Sequence, residues 1–189
     1  MKDSIKQKAL ENHIPILMDD TLEVIAKILK QNNPKSILEI GTAVGYSAIC
    51  FSEFLTEGGK IDTIERDVQR AEEAIENIKQ VGVEDKINVI IGDAVDILPT
   101  LNNKYDIVFI DAAKGKYPFF LEQAIRMINK NGIADNVLYK GYVLGDYNKH
   151  KQRTAVRNLR EYIYKITNTP NIQTEILEVG DGLAISKMI

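Results

Sequence analysis

The chain has 189 residues, is 44% hydrophobic and 27% charged, and carries a net charge of −3. These values fit a single globular domain over residues 1–189 and exclude disordered and fibrous classes. No apolar run is long enough to span a membrane, the charged start Met1-Lys-Asp-Ser-Ile-Lys6 lacks the apolar stretch of a signal peptide, and a lone Cys50 precludes an internal disulfide, so a reducing cytoplasm is the expected compartment.

Two helices are predicted first, over residues 3–12 and 19–31. The second is the stronger: Leu22, Ile25, Ala26, Ile28 and Leu29 fall at helical spacing, with Asp19 or Asp20 as its cap. Apolar runs then alternate with helical patterns. Strands are predicted over 36–40, 60–64, 86–91 and 105–110, with a short fifth over 132–134. The helices between them are predicted over 46–56, 67–81, 94–101 and 116–129. Such alternation marks a parallel sheet covered on both faces. After a long helix over 148–167, two strands over 171–179 and 183–189 are joined by Gly180-Asp181-Gly182, a hairpin signal that makes them antiparallel. There are no repeats, low-complexity tracts or interdomain linkers.

The most informative stretch is Ser36-Ile-Leu-Glu-Ile-Gly-Thr-Ala-Val-Gly-Tyr-Ser-Ala-Ile49: strand, glycine-punctuated turn, helix. Gly41 and Gly45 bracket the turn, where glycine lets backbone approach a ligand closely. A second acid, Glu65, follows Glu39 by 26 residues, at the tip of the second strand, where a nucleotide ribose is gripped. The turn matches neither G-x-G-x-x-G nor a P-loop, so it is not built for a pyrophosphate. A nucleoside without phosphates, such as S-adenosylmethionine, fits better. With the parallel core and terminal hairpin, this suits an α/β, Rossmann-like class I methyltransferase sheet better than a dehydrogenase.

Ligands of open parallel sheets bind beyond the carboxyl ends of the strands. Those ends carry Glu39, Glu65, Gly92-Asp93-Ala94, Asp111-Ala-Ala-Lys114 and Asp135-Asn136. Asp111, Asp135 and Asn136 offer hard oxygen donors, a set suited to Mg²⁺ or another divalent cation. Each taken alone is an ordinary turn or helix cap; two such clusters on neighbouring strand ends favour the metal. Lys114, three residues after Asp111, is placed to act as a general base. Lys116 reads as solvent-exposed, His13 and His150 as ordinary, and Cys50 as a small buried residue. Tyr46, directly after Gly45, reads as lying over the cofactor rather than in the core.

Charge is unevenly spread. Residues 53–96 hold 12 acids and 5 bases, whereas residues 137–168 hold 7 Lys/Arg and 2 acids. The basic block comprises Lys140, Lys149, Lys151, Arg153, Arg157, Arg160 and Lys165. Any one of these reads as a solvated surface charge, but together they form a face suited to a polyanion.

Six segments carry a family resemblance: Glu39-Ile-Gly-Thr-Ala-Val-Gly-Tyr-Ser47, Ile64-Glu65, Gly92-Asp93-Ala94, Phe109-Ile-Asp-Ala-Ala-Lys114, Ala134-Asp-Asn-Val-Leu138 and Gly180-Asp-Gly-Leu183. In order and spacing they resemble the cation-dependent class I O-methyltransferases, the group of catechol and caffeoyl-CoA O-methyltransferases. Ile64-Glu-Arg-Asp67, Ile110-Asp-Ala-Ala-Lys-Gly115 and Asp135-Asn-Val-Leu-Tyr-Lys-Gly141 look most like the bacterial tRNA 5-hydroxyuridine methyltransferases. The resemblance implies that Glu39, Gly41, Thr42, Gly45, Tyr46 and Ser47 surround the methionine part and ribose of S-adenosylmethionine, that Glu65, with Arg66 beside it, holds the ribose hydroxyls, and that Gly92, Asp93 and Ala94 line the adenine. Leu17 is implied to lie over the cofactor, Asp111 to bind both metal and cofactor, Asp135 and Asn136 to complete the metal ligands, and Lys114 to be the base. A homodimer is implied as well.

Two departures stand out. The N-terminus is shorter than usual in the family, and Asn131-Gly-Ile-Ala-Asp135 is two residues shorter than the usual approach to the metal ligands. Because side chains alternate with period two, losing two residues keeps Asp135 on its face, with a shortened fifth strand. A displaced fifth strand would instead leave a non-catalytic cofactor-binding module. The expected reaction is transfer of the sulfonium methyl to a hydroxyl beside a second oxygen, an arrangement shared by catechols and 5-hydroxyuridine. For an RNA acceptor, Tyr139 or Tyr142 would stack on a splayed base and the basic block would grip phosphates. That makes tRNA the preferred acceptor and a small phenol the alternative.

Overall fold

The computed structural model describes residues 1–146 and 150–189. Its backbone falls into two units, Met1–Leu101 and Asn102–Ile189.

The first unit opens with helices α1 (Lys2–Glu11) and α2 (Asp19–Asn32). The expected acidic cap of α2 is not formed. Met18 occupies the N-cap, Asp19 pairs with Lys6, and an Asp20 oxygen accepts from the adjacent Thr21 N–H. Both acids still sit in the first turn, where they favour the helix dipole. Strand β1 (Ser36–Ile40) follows, then α3 (Tyr46–Phe51) with a 3₁₀ turn over Ser52–Phe54, β2 (Lys60–Glu65), α4 (Val68–Val81), β3 (Ile87–Ile91) and a short α5 (Ala94–Ile97). The three strands are parallel, with β2 between β1 and β3. Ile37, Leu38, Ile40, Ile61 and Ile64 are fully buried on them. Helix α4 starts at Asp67, whose carboxylate accepts from the N–H groups of Gln69 and Arg70, and stops at Gly82 in the left-handed region. Its inner face is narrow, with Ala71 and Ala74 buried, so α3 packs close. A Cβ on Gly45 would lie 3.3 Å from the Ala74 Cβ, and the Gly45 φ of +82° favours glycine too.

The second unit contains β4 (Tyr105–Ile110), α6 (Tyr117–Met127), β5 (Ile128–Ala134), α7 (Arg153–Thr167), β6 (Ile172–Leu177) and β7 (Leu183–Met188). Strands β4 and β5 are parallel, whereas β7 pairs antiparallel with both β5 and β6, as the hairpin signal required. Helix α7 buries Val156, Leu159, Tyr162 and Ile166, and Tyr162 meets the fully buried Tyr117 ring edge-on at 5.5 Å. Asn148 and Lys149, the predicted start of this last helix, lie outside the described residues.

The short fifth strand is corrected. Strand β5 spans seven residues, and α6 runs into it without a loop, Ile128 being both the helix cap and the first strand residue. Ile128 is drawn into the sheet opposite Tyr105. A helix continued to residue 129 would forgo that pairing, so the compact approach to Asp135 shortens the connection and not the strand. Ala134 stays in register with Ile110.

Candidate active site

The predicted residues gather in two groups, one in each unit. In the first unit, the turn after β1 is held by two buried acids. Glu39 is wholly buried, and it pairs with Thr63 in the β1–β2 register. One of its carboxylate oxygens accepts from the Ser47 hydroxyl at 2.6 Å, the other from the Thr63 hydroxyl at 2.5 Å. Thr63 Oγ1 also lies 2.6 Å from Thr42 Oγ1. Four side chains from β1, its turn, α3 and β2 thus form one hydrogen-bonded chain beneath the glycine turn. Glu39 supports the cradle from below, and Thr63, which no sequence signal marked, is its partner.

Glu65 closes the turn from the side. Its Oε2 accepts from the Ala43 N–H and its Oε1 from the Asp67 N–H, both at 2.9 Å. Ala43 has a φ of +46°, so this bond holds a strained residue in place. A carboxylate oxygen has a second acceptor site, so Glu65 keeps capacity for ligand hydroxyls. The Gly92 N–H donates to the Glu65 carbonyl at 2.8 Å, bringing the β3 tip alongside. Asp93 is exposed and caps α5 through Val95 N–H, next to the buried Ala94. Gly41 is half-buried, Leu17 is buried ahead of α2, and Arg66 is exposed.

Tyr46 is 7% exposed, and its hydroxyl hydrogen-bonds with Cys50. Burial pushes the phenol well above its ordinary value and the Cys50 thiol up to about 11. Cys50 is the small buried residue expected. Tyr46 packs into α3, so any surface it offers a cofactor is small.

In the second unit, Asp111, Lys114, Asp135 and Asn136 assemble at the ends of β4 and β5. The Lys114 ammonium donates to Asn136 Oδ1 at 2.7 Å and stands 5.4 Å from the centroid of the Tyr139 ring. Asp135 is buried, and its Oδ1 accepts from the Asn136 N–H at 2.7 Å. Asn136 takes a left-handed φ of +56°, a conformation asparagine tolerates. The buried Tyr117 hydroxyl, another group unmarked in sequence, donates to the Asp135 carbonyl at 2.7 Å. Burial raises the Asp111 carboxyl, opposed by Lys114. Burial first and Asp111 second push Asp135 up to about 7. Two acids that burial disfavours as anions, Asp135 further so by the charge of Asp111, with an amide oxygen beside them, make a donor set that a hard divalent cation would stabilise. Among the described residues no group of three or more His, Cys, Asp or Glu stands ready for a metal, so the candidate set is two carboxylates and one amide.

The basic block is smaller than its sequence suggests. Lys165 is taken up by Glu122 and Glu161. Arg160 donates to the backbone carbonyls of Tyr142, Val143 and Gly145. Lys140, Lys151, Arg153 and Arg157 are exposed, Lys116 is exposed as expected, and Lys149 lies outside the described residues. Among the described residues no helix is long and apolar enough to cross a membrane.

The family model for O-methyltransferases matches residues 3–189 of this chain. A catechol O-methyltransferase from Niastella koreensis is 31% identical over 176 residues, covering 87% of this chain and 77% of that protein. A solved structure from Staphylococcus aureus, provisionally named a caffeoyl-CoA O-methyltransferase, is 32% identical with a TM-score of 0.91, covering 100% of this chain and 92% of that one. An O-methyltransferase from Bacillus cereus, solved in complex with SAH, is 25% identical with a TM-score of 0.90, covering 100% and 90%. The fold is the α/β, Rossmann-like methyltransferase fold, mostly parallel with a C-terminal antiparallel hairpin.

Proposed function

Because the chain belongs to the O-methyltransferase family, and so is an S-adenosylmethionine-dependent O-methyltransferase, we propose that it is cation-dependent and methylates the 5-hydroxyl of 5-hydroxyuridine in tRNA. The observation that carries the cation dependence is the buried Asp135 with the half-buried Asp111 pushing its carboxyl up, and Asn136 and Lys114 beside them. Asp111, Asp135 and Asn136 would hold the cation. Bound there, it would lower the pKa of a coordinated acceptor hydroxyl.

The chain's own residues do the rest. Glu65 accepts the ribose hydroxyls of the methyl donor while its other lone pairs keep the turn closed. Ser47, fixed by Glu39, serves the methionine end. Asp93 and Ala94 border the adenine. Lys114, entering the step as the neutral amine, takes the proton and becomes the ammonium as the acceptor oxygen attacks the methyl carbon; the C–S bond breaks and leaves a neutral thioether. Holding oxygen, carbon and sulfur in line supplies much of the rate.

The tRNA acceptor is supported by four exposed cations, Lys140, Lys151, Arg153 and Arg157, in a chain of net charge −3. The relatives named for catechol and caffeoyl-CoA favour a second reading, a small phenol with adjacent oxygens. Methyl transfer from labelled S-adenosylmethionine, offered tRNA carrying 5-hydroxyuridine and separately catechol, each with Mg²⁺ and with EDTA, decides between them. The proposal expects EDTA-sensitive label in tRNA. Label in catechol alone would move the chain to the small-molecule reading, and EDTA-resistant label would remove the cation.

A further inference from the structure

The segment over residues 138–146 is separated from Asn136 by Val137 alone and adopts a backbone that its sequence does not favour. Tyr139, Lys140 and Gly141 are consecutive left-handed residues, with φ of +43°, +56° and +73°. Two of the three are not glycine, so the conformation persists only where the surroundings over-determine it. Two anchors do so. On one side, the N–H groups of Leu138 and Tyr139 donate to the Asp181 carbonyl at 2.9 and 3.1 Å, in the β6–β7 turn. Gly182 is needed there, because a Cβ would lie 2.4 Å from Leu138 Cγ. On the other side, Arg160 of α7 donates through Nε to the Val143 carbonyl at 3.1 Å and through Nη2 to the carbonyls of Tyr142, at 3.2 Å, and Gly145.

Between the anchors sits an aromatic corner. The Tyr139 and Tyr142 rings meet edge to face at 5.6 Å and 84°, and Lys114 Nζ stands over the Tyr139 ring. Arg160 therefore grips the backbone of Tyr142, whose ring braces Tyr139, whose ring faces the candidate base. We propose that Arg160 is a positioning residue for the acceptor: it clamps residues 142–145 so that Tyr139 and Tyr142 form a fixed corner for a planar acceptor ring beside Lys114. The inference rests on the reading of Lys114 and its neighbours as the acceptor site. It also takes Arg160 out of the phosphate-binding face on which its sequence neighbourhood placed it.

The test separates clamp from phosphate contact through Arg160→Lys in the full chain. A lysine keeps the positive charge but lacks the planar fork that reaches several carbonyls at once. The proposal expects amide hydrogen exchange over residues 138–146 of the cofactor-free protein to quicken by about tenfold or more, since three charge-assisted bonds are lost. It expects the KM for 5-hydroxyuridine-bearing tRNA, or for catechol if that is the working acceptor, to rise by about tenfold, equivalent to about 1.4 kcal/mol, with the cofactor Kd unchanged. Lys165→Ala, on the same helix but with its ammonium paired to Glu122 and Glu161, should leave both readouts at wild type. Wild-type exchange and KM in Arg160→Lys would return Arg160 to the phosphate-binding face. Faster exchange with an unchanged KM would reduce it to a brace without a role in positioning. A wild-type chain that methylates neither acceptor would sink the functional reading, and with it the acceptor role, while exchange still reads the clamp.

Discussion

The acids of the two units are held in opposite ways. In the first unit, each of the two glutamates accepts at both carboxylate oxygens: Glu39 from the Ser47 and Thr63 hydroxyls, Glu65 from the Ala43 and Asp67 N–H groups. In the second, Asp135 is buried and Asp111 half-buried, and their carboxyls are raised, Asp135 to about 7 by burial first and Asp111 second. A buried charge is tolerable when hydrogen bonds saturate it and costly when another charge of its own sign faces it. The first arrangement is a hydrogen-bonded scaffold, which on the proposed reading would receive the ribose of the methyl donor. On the proposed reading, the second would be completed by an added cation. Cofactor binding and cation binding should therefore fail independently.

The sharpest way to break that separation is Asp135→Ala. It should lower methyl transfer by more than the roughly 10- to 100-fold lost when a group one step removed from a metal is changed. The cofactor Kd, measured by calorimetry, should stay within about twofold. A cofactor Kd that rises as activity falls would show that the groups are one site energetically.

The next effect is on stability against pH. A carboxyl whose folded pKa is raised favours the fold while protonated, so its contribution is fully present below about pH 4 and is lost as pH climbs through about 7. Melting of the EDTA-treated protein should show this loss, worth a few kcal/mol. Asp135→Asn should flatten it, and Mg²⁺ should reverse it above pH 7 in the wild type alone. A profile identical in wild type and Asp135→Asn would mean that the pair is not frustrated.

Glu65→Gln should weaken cofactor binding by about 10- to 100-fold, the span of losing one or two bonds to a charged acceptor, and leave Mg²⁺ binding unchanged. The smallest change is Thr63→Val, nearly isosteric. It strips a donor from the buried Glu39 carboxylate and should cost about 1–3 kcal/mol of stability, with Thr63→Ser restoring most of it. Full stability in Thr63→Val would show that the chain beneath the turn is ornamental.

Local chemistry made most of the fold legible in the sequence. Strands β1 and β4 begin and end where their apolar runs do, and the glycine-rich hairpin is antiparallel as its turn residues require. The placement of Glu39, Glu65, Asp111 and Asp135 at or near strand tips was legible for the same reason, since a strand's end and the acid that closes it are neighbours in the chain. What tertiary structure alone decided is non-local. Thr63 became the partner of Glu39 through the β1–β2 register. Helix α6 stopped at Met127, not at residue 129, because Ile128 pairs opposite Tyr105. Arg160 bonds to carbonyls 15 to 18 residues away, and Lys165 pairs with Glu122, 43 residues away, as well as with Glu161 one turn back on its own helix. Periodicity reports which face of an element is apolar; it carries no information about which distant donor meets which acceptor, and those pairings decide which acids are saturated by hydrogen bonds and which cations are taken up by carbonyls and carboxylates.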